Sequence, residues 1–182
     1  MKAVKWVIIG VASLLFLFFG ITFFLPNAYY VERSVEISAP PVMVYSQVVD
    51  LEVWQEWNPW NKMDPDMVIT YGEKRVGAGA FYSWSGEIAG GGKMAIIETE
   101  APSHVRYELI FEGFENEPSY SSMILKASDP LGPTMVTWTF EGDVGNKLFA
   151  RWMVVLMDRF VGASYEQGLD ALKERCEGLV TE

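Results

Sequence analysis

Carboxylates and tyrosines are the side chains best able to do chemistry in this chain, and they are scattered along it. Asp64 and Asp66 flank a proline, and Glu56 precedes them. Carboxylates of this kind suit a hard divalent cation. Proline-spaced acids are nevertheless more typical of a solvated loop, and no EF-hand spacing is present. We therefore predict neither a metal site nor a bound cofactor.

Acid–base catalysis inside an apolar pocket needs only a few polar groups, and its candidates here do not form a motif. The spacing along the chain places none of them together. The chain contains no G-x-S-x-G elbow, no H-E-x-x-H and no Cys–His pair. The sequence motifs typical of nucleophilic catalysis and of zinc catalysis are therefore absent. We assign no catalytic residue, and enzymatic activity stays open. The acid–base candidates are Glu56, Tyr71, Tyr82, Arg106 and Tyr107.

The single histidine and the single cysteine both have structural explanations. His104 starts a predicted strand on the face opposite Val105 and Tyr107, so we expect it to be exposed. Cys176 falls on an apolar helical stripe and is expected to be a small core residue. With one cysteine the chain forms no intramolecular disulfide, which excludes a disulfide-stapled secreted module.

Aromatic and sulfur side chains are the more informative candidates, because they line adaptable apolar pockets. Ordinary core packing remains the alternative for each of them. The W-x-x-W-x-x-W run puts three indoles on one side of a helical turn, which is more apolar area than a short helix needs. The predicted ligand-binding residues are Trp54, Trp57, Trp60, Trp84, Met94, Tyr107, Trp138, Met153, Met157 and Phe160.

The elements that must position these side chains begin with a strand. Residues Val31 to Ile37 alternate apolar and polar side chains apart from Arg33, which is typical of a half-buried strand. Ala39-Pro40-Pro41 ends this strand, since proline cannot donate to a ladder. Helical spacing follows from Val44 to Val49, and Asp50 leads into the tryptophan run. We predict two small helices here.

Glycine residues and a change in the period of the apolar residues indicate the elements in the rest of the chain. The segments AFYSWSGEI and KMAIIETEA predict a hairpin whose turn is Gly90-Gly91-Gly92. Three more strands are predicted at 104–112, 120–127 and 135–141. A helical period then runs from Asn146 to about Gly178, with a bend at Gly162. Its apolar stripe is Tyr165, Leu169, Leu172, Cys176 and Leu179.

The block from Tyr30 to Trp60 resembles the opening of the START-like, or SRPBCC, superfamily, which includes polyketide cyclases and dehydrases and lipid-transfer domains. The resemblance covers nearly all of Tyr29 to Glu177 and extends to the Y-S-W-S-G hairpin, the V-T-W strand and the F-V-G-A-S-Y-E-Q-G-L-D-A-L-K helix. It implies an α+β helix-grip fold, in which an antiparallel sheet wraps around a long C-terminal helix and leaves a cavity. None of these motifs is a catalytic signature.

A separate signal lies ahead of that block. The 20 residues from Trp6 to Leu25 carry no charge, and at ~1.5 Å per residue they span about 30 Å, the thickness of a bilayer core. A cleaved signal peptide and a buried core helix are the alternatives, but a secretory apolar segment is usually shorter and precedes small residues. We predict an uncleaved transmembrane anchor and linker at 1–28 and a ligand-binding domain at 29–182.

Charge suggests the orientation and the partners. Lys2 and Lys5 precede the apolar run, so the positive-inside rule puts the domain on the extracytoplasmic side of the cell (inner) membrane as a single-pass protein. Without these two lysines, 12 of the 14 basic residues belong to the domain, which carries all 24 acidic residues. That balance excludes nucleic acid as a partner and gives no attraction to anionic lipid heads.

Three functions are compatible with these observations. The favoured one is a membrane-tethered domain that binds or transfers a hydrophobic small molecule or lipid. A cyclase- or dehydrase-like enzyme acting on a polyketide-like substrate is the second, and a perturbed pair of titratable groups deep in the cavity would favour it. The third is a module that binds an apolar segment of a partner protein, which a collapsed cavity and an exposed apolar patch would favour.

Overall fold

One antiparallel sheet and one long helix form the body of the molecule, as seen in a computed structural model that describes residues 2–181. Seven strands pair in the order β1-β7-β6-β5-β4-β3-β2, so the first strand lies beside the last. This architecture confirms the predicted α+β helix-grip fold. The elements are α1 Lys2–Phe24, β1 Ala28–Ile37, α2 Pro41–Val49, α3 Leu51–Trp57, α4 Trp60–Met63, β2 Val68–Tyr71, β3 Phe81–Gly86, β4 Gly90–Glu100, β5 His104–Phe111, β6 Ser119–Lys126, β7 Thr134–Asp143 and α5 Ala150–Val180.

Helix α1 is apolar and stands largely outside the body of the domain. Its segment Val4–Phe24 is long and apolar enough to cross a membrane. Side chains along it are exposed, with Leu14 at 70% and Phe16 at 83%. A helix of the soluble core would bury such residues, so this helix is not part of the core.

The tryptophan run forms two helices where the sequence predicted one. Asp50 caps α3, because its carboxylate accepts hydrogen bonds from the backbone of Glu52 and Val53. Asn58 and Pro59 then break the helix, and the Asn58 side chain accepts from the backbone N–H of Trp60. The segment between β1 and β2 therefore holds three short helices instead of the predicted two.

The predicted hairpin is present, but its glycines lie elsewhere than expected. Gly86 pairs with Gly90, so the turn consists of residues 87–89. Gly91 and Gly92 belong to β4. A Cβ on Gly92 would collide with the ring of Trp84, which crosses the strand at this point. Gly92 thus makes room for the Trp84 indole, and the turn itself is formed by the residues before the glycine cluster.

Helix α5 is a single element from Ala150 to Val180. Gly162, where a bend was predicted, lies inside this continuous helix, and a Cβ there would meet the Arg33 guanidinium. Arg33 bridges β1 to α5 through Asp158 at 2.9 Å and Glu166 at 2.6 Å. Four residues of the predicted stripe are buried, and Leu179 is 40% exposed near the helix end.

The strand register divides the domain into two ends. Ala28 of β1 pairs with Asp143 of β7, so the chain leaves α1 beside the end of β7. The β3–β4 and β5–β6 connections, at 87–89 and 112–118, turn at this same end of the sheet. We call it the α1 end.

The opposite end is filled by a solid core. Helices α2 and α3 pack there between the sheet and the last turns of α5. Tyr107 is fully buried in the middle of the sheet at the edge of this core, and its hydroxyl donates to the carbonyl of Val48 at 2.6 Å. The buried apolar residues of this end include Ile37, Val44, Leu51, Val105, Met123, Leu125, Val136, Leu172 and Cys176.

Candidate functional site: an apolar cavity at the α1 end

A cavity of about 530 Å³ lies between the sheet, α5 and the α3–α4 corner. Its volume falls in the usual range of small-molecule sites, roughly 300–1,000 Å³. Lining residues come from β1 and β3 to β7, and they cluster in the half of the sheet nearest α1. Tyr29 of β1, Asp143 at the end of β7 and Val144 directly after it are among them. The hollow half of the domain is therefore the half next to the apolar helix.

Seven of the ten predicted ligand-binding residues line this cavity. Three indoles of the tryptophan-rich segments converge on a fourth, since Trp54, Trp57 and Trp60 lie within 5.4, 5.7 and 5.8 Å of the Trp138 ring. Two methionines of α5 close the opposite wall. The seven are Trp54, Trp60, Trp84, Met94, Trp138, Met153 and Met157.

The structure places the other three predicted residues away from the cavity. Trp57 is 2% exposed and packs behind Trp54, where its indole N–H donates to the Gln47 carbonyl at 3.0 Å. Tyr107 belongs to the solid core described above. Phe160 is 65% exposed on the outer face of α5. Helical spacing could not separate the inner and outer faces of α5 in its first half, because both are apolar.

Several polar side chains in the cavity were not anticipated from the sequence. Ser119 and Ser121 are both 3% exposed, and their side chains enter the cavity from β6. The Tyr165 side chain enters from α5, and the Tyr29 side chain enters from the start of β1. The period-2 alternation of Ser119, Tyr120 and Ser121 was the available signal, but serines on a strand are more often solvated.

Tyr165 and Trp138 form the centre of the cavity wall. Their rings stack with centroids 3.8 Å apart and an interplanar angle of 14°. The Trp138 indole N–H donates to Ser121 Oγ at 2.9 Å, and the same oxygen lies 3.2 Å from Tyr165 Oη. A second hydroxyl pair, Tyr29 Oη and Ser119 Oγ, lies 2.6 Å apart.

Counting hydrogens shows what these pairs offer a ligand. Each hydroxyl carries one hydrogen and two lone pairs. The Ser121–Tyr165 pair has two hydroxyl hydrogens and one bond between its members, and the Tyr29–Ser119 pair has the same balance. Among the described hydrogen bonds, one hydrogen of each pair is left without an acceptor. The cavity therefore presents hydrogen-bond donors suited to a carbonyl, ester or ether oxygen.

Burial keeps these tyrosines neutral. Desolvation raises the pKa of Tyr165 and Tyr82 well above the ordinary value of 10. The pKa of Tyr29 is raised as well, first by burial, while its hydrogen bond with Ser119 opposes that shift. At neutral pH these tyrosine hydroxyls therefore keep their hydrogens.

Two of the acid–base candidates are engaged outside the cavity. Glu56 pairs with Arg175 at 2.6 Å. Arg106 lies on the other face of the sheet, where it pairs with Glu141 at 2.8 Å and covers the Tyr120 ring. The structure brings neither charge to the cavity.

Asp64 and His104 differ from expectation in their burial. Asp64 is 4% exposed and is not part of a solvated loop, because its carboxylate accepts from the backbone N–H groups of Ile88 and Ala89 at 2.9 Å. It holds the β3–β4 turn against the α4–β2 connection. His104 is half-buried where exposure was predicted. Within residues 2–181, no group of three or more His, Cys, Asp or Glu side chains is arranged to hold a metal ion.

Acidic side chains surround the α1 end of the cavity. Glu112, Glu117 and Asp143 are among the lining residues. Lys147 neutralises Glu117 in part, with Nζ 2.6 Å from the carboxylate. The remaining negative charge disfavours an anionic ligand at this end.

These features define a class of protein, a helix-grip domain in which a curved antiparallel sheet and a long C-terminal helix enclose an apolar cavity. The model of the family described as polyketide cyclase / dehydrase and lipid transport matches residues 30–177. The chain belongs to this family. No significant match was found among curated protein sequences.

Three of the solved structures that share this fold illustrate the likeness. A START superfamily protein from Mycobacterium smegmatis is 19% identical with a TM-score of 0.57, and the match covers 83% of this chain and 99% of that one. A Thermobifida fusca protein is 20% identical (TM-score 0.59; 82% and 94% covered). A hypothetical protein from Helicobacter pylori is 10% identical (TM-score 0.62; 83% and 89% covered). At these identities the likeness establishes the fold alone.

Proposed function

We propose that this protein holds a neutral, largely apolar molecule in its cavity while α1 tethers it to a membrane. The ligand class is a lipid or polycyclic compound that carries an uncharged acceptor oxygen. Residues 1–28 serve as anchor and linker, and residues 29–182 as the binding domain. The seven predicted residues that line the cavity, together with Tyr29, Ser119, Ser121 and Tyr165, are the proposed binding residues.

The location of the cavity carries this proposal. Its walls are mostly aromatic and aliphatic, and each methylene group buried there favours binding by roughly 0.8 kcal/mol. It lies in the half of the domain next to α1, with Tyr29 in its lining directly after the linker. An apolar ligand that enters at this end crosses little water on its way from a bilayer.

The hydroxyl hydrogens and the acidic rim define the ligand further. The pairs Ser121–Tyr165 and Tyr29–Ser119 favour an oxygen acceptor. The carboxylates of Glu112 and Asp143 repel a carboxylate or phosphate head. A neutral ester or ketone satisfies both conditions, whereas a free fatty acid satisfies only the first.

The anchor accounts for the orientation that we propose. Lys2 and Lys5 precede the uncharged run that begins at Trp6, and the positive-inside rule supports an N-terminus in the cytoplasm and a domain outside. Membrane fractions that contain the full-length protein should retain it through a carbonate wash. Protease added to the outer face should digest the domain. Recovery of a soluble form that starts near Tyr29 would show a cleaved signal instead.

Ligand capture tests the binding proposal directly. Native mass spectrometry of the detergent-extracted protein should reveal a co-purified neutral apolar molecule. The protein should also bind a fluorescent acyl ester more tightly than the free acid with the same chain. If it takes up neither probe and carries no apolar molecule, the binding function is refuted.

A further inference from the structure

Helix α5 makes specific contacts with the last two turns of α1. The Phe18 ring stacks on Trp152 with centroids 5.3 Å apart and planes within 8°. The Trp152 indole N–H donates to Thr22 Oγ1 at 2.8 Å. Phe149, just before α5, adds a ring contact with Phe18 at 6.1 Å. The two helices are therefore joined by side chains as well as by the covalent linker.

The two sides of α5 contact different levels of α1. Phe149 and Trp152 reach Phe18, whereas Arg151 donates to the carbonyls of Phe23 and Leu25 at 3.1 and 3.3 Å. Phe18 lies six residues before the end of α1, which corresponds to about 9 Å along the axis at ~1.5 Å per residue. The Phe149–Trp152 side of α5 thus faces the interior of the apolar span, and the Arg151 side faces its end.

An exposed apolar stripe continues along that inward-facing side. Its members follow helical spacing of three and four residues, which aligns them on one face. They are exposed by 46–70% although all are large and apolar. We define the α5 stripe as Phe149, Met153, Leu156 and Phe160.

We propose that the α5 stripe is seated in the lipid leaflet on the domain side of the membrane that α1 spans. This inference rests on the proposed anchor. Because Trp152 stacks on Phe18 below the end of the span, the start of α5 must enter the same apolar layer. Helix α5 then lies along the bilayer surface as an interfacial helix. Arg159, next to Phe160 in the chain, is exposed, and its long side chain can reach the headgroups.

Seating the stripe in lipid has a consequence for the cavity. Met153 belongs to the stripe and also lines the cavity, and Met157 and Val161 continue the cavity wall one and two turns further. The wall that separates the ligand from the leaflet is then a single helix. A ligand can pass beside the start of α5 without entering bulk water.

Depth-resolved fluorescence quenching on the full-length protein tests this placement. Variants Leu156→Cys and Phe160→Cys, each with one added exposed cysteine, carry an environment-sensitive label in phosphatidylcholine–phosphatidylglycerol liposomes. Glu174→Cys, exposed near the far end of the same helix, is the matched water-facing control. Leu14→Cys reports on the anchor. Unsubstituted protein is the labelling blank, because Cys176 is buried and its pKa is raised to about 11 by burial.

The inference predicts several-fold stronger quenching of labels at 156 and 160 by lipid-attached nitroxide than by aqueous iodide, and the reverse at 174. If position 14 lies in lipid but position 160 is quenched by iodide like position 174, the stripe inference is overturned and the anchor stands. If position 14 is also in water, the anchor itself is refuted. Shielding of position 160 from both quenchers would assign the stripe to a protein contact, which also overturns the inference.

Discussion

Trp138 and Tyr165 stack face to face at 3.8 Å while both reach the hydroxyl of Ser121. One residue comes from the sheet and the other from α5, so this contact joins the two layers where the solid core gives way to the cavity. Gly168 lets the helix approach, since a Cβ there would press on the Trp138 ring. The contact stabilises the fold and at the same time presents polar atoms to a ligand.

Removing the Tyr165 hydroxyl should change ligand selectivity without removing the ring stack. We expect Tyr165→Phe to weaken binding of an acyl ester by ~0.5–1.5 kcal/mol, the usual net contribution of one hydrogen bond. Binding of a hydrocarbon probe of similar size should stay unchanged. Tyr107→Phe is the matched control, because its hydroxyl donates to Val48 outside the cavity. Equal loss for both probes would argue against the donor role.

Trp84 should contribute apolar contact at the cavity wall. Truncation by Trp84→Ala is expected to weaken probe affinity by ~1–3 kcal/mol, since the indole lines the cavity and stays half-buried. Tyr30→Ala removes an exposed ring outside the cavity and should leave affinity unchanged. Isothermal titration of both variants with one neutral probe measures the difference. Unchanged affinity in Trp84→Ala would exclude this indole from the binding site.

A methyl group on Gly92 should damage both stability and the site. Its Cβ would meet the Trp84 ring and come within 2.7 Å of the Ile110 carbonyl oxygen. We expect Gly92→Ala to lower the free energy of unfolding by about 1–3 kcal/mol, as overpacking usually does, and to weaken probe binding. Gly178→Ala is the control, because nothing lies within 4 Å of its Cβ position in α5. Urea unfolding compares the two.

Alkaline pH should destabilise the protein through its buried tyrosines. The pKa of Tyr82 and Tyr165 is raised in the folded state by burial, so unfolding favours their ionisation. Their contribution to stability is fully present below the unfolded value of 10 and is lost as pH rises toward the folded value. Cys176, raised from 9 to about 11, acts in the same direction from pH 9 upward.

The measurement is the urea midpoint as a function of pH. It should be level from pH 7 to about 9 and fall above it, and Tyr165→Phe should reduce the steepness of the fall above pH 10. A urea midpoint that increases with pH above pH 10 would contradict the burial of the neutral tyrosines.

Charges placed on the α5 stripe should slow ligand exchange with membranes. The double variant Leu156→Glu/Phe160→Glu disfavours lipid contact, but neither side chain lines the cavity. We expect slower transfer of a fluorescent ester from the full-length protein to acceptor liposomes, with equilibrium affinity unchanged. Val180→Glu adds charge at an exposed apolar position at the far end of α5 and serves as the control. Equal transfer rates in all variants would exclude a role of the stripe in exchange.

Local patterns in the sequence were sufficient for most elements of this fold, but not for α4 or β2. Three signals depend only on neighbours a few residues away, so they can be read from the chain directly. They are the alternation in Val31–Ile37, the Ala39-Pro40-Pro41 break and the predicted apolar stripe from Tyr165 to Leu179. The family resemblance predicted that these elements form a helix-grip fold. The uncharged run before Leu25 similarly depends only on composition.

Only the tertiary structure determines which aromatic residues line the cavity. Trp54 and Trp57 are three residues apart and equally buried, yet only Trp54 lines it. That difference depends on where α2 and α3 fill the space between sheet and helix, which involves residues far apart in sequence. The hydroxyls of Ser119, Ser121 and Tyr165 line the same cavity for the same reason. Register and helix packing bring them together, and no spacing along one element records that contact.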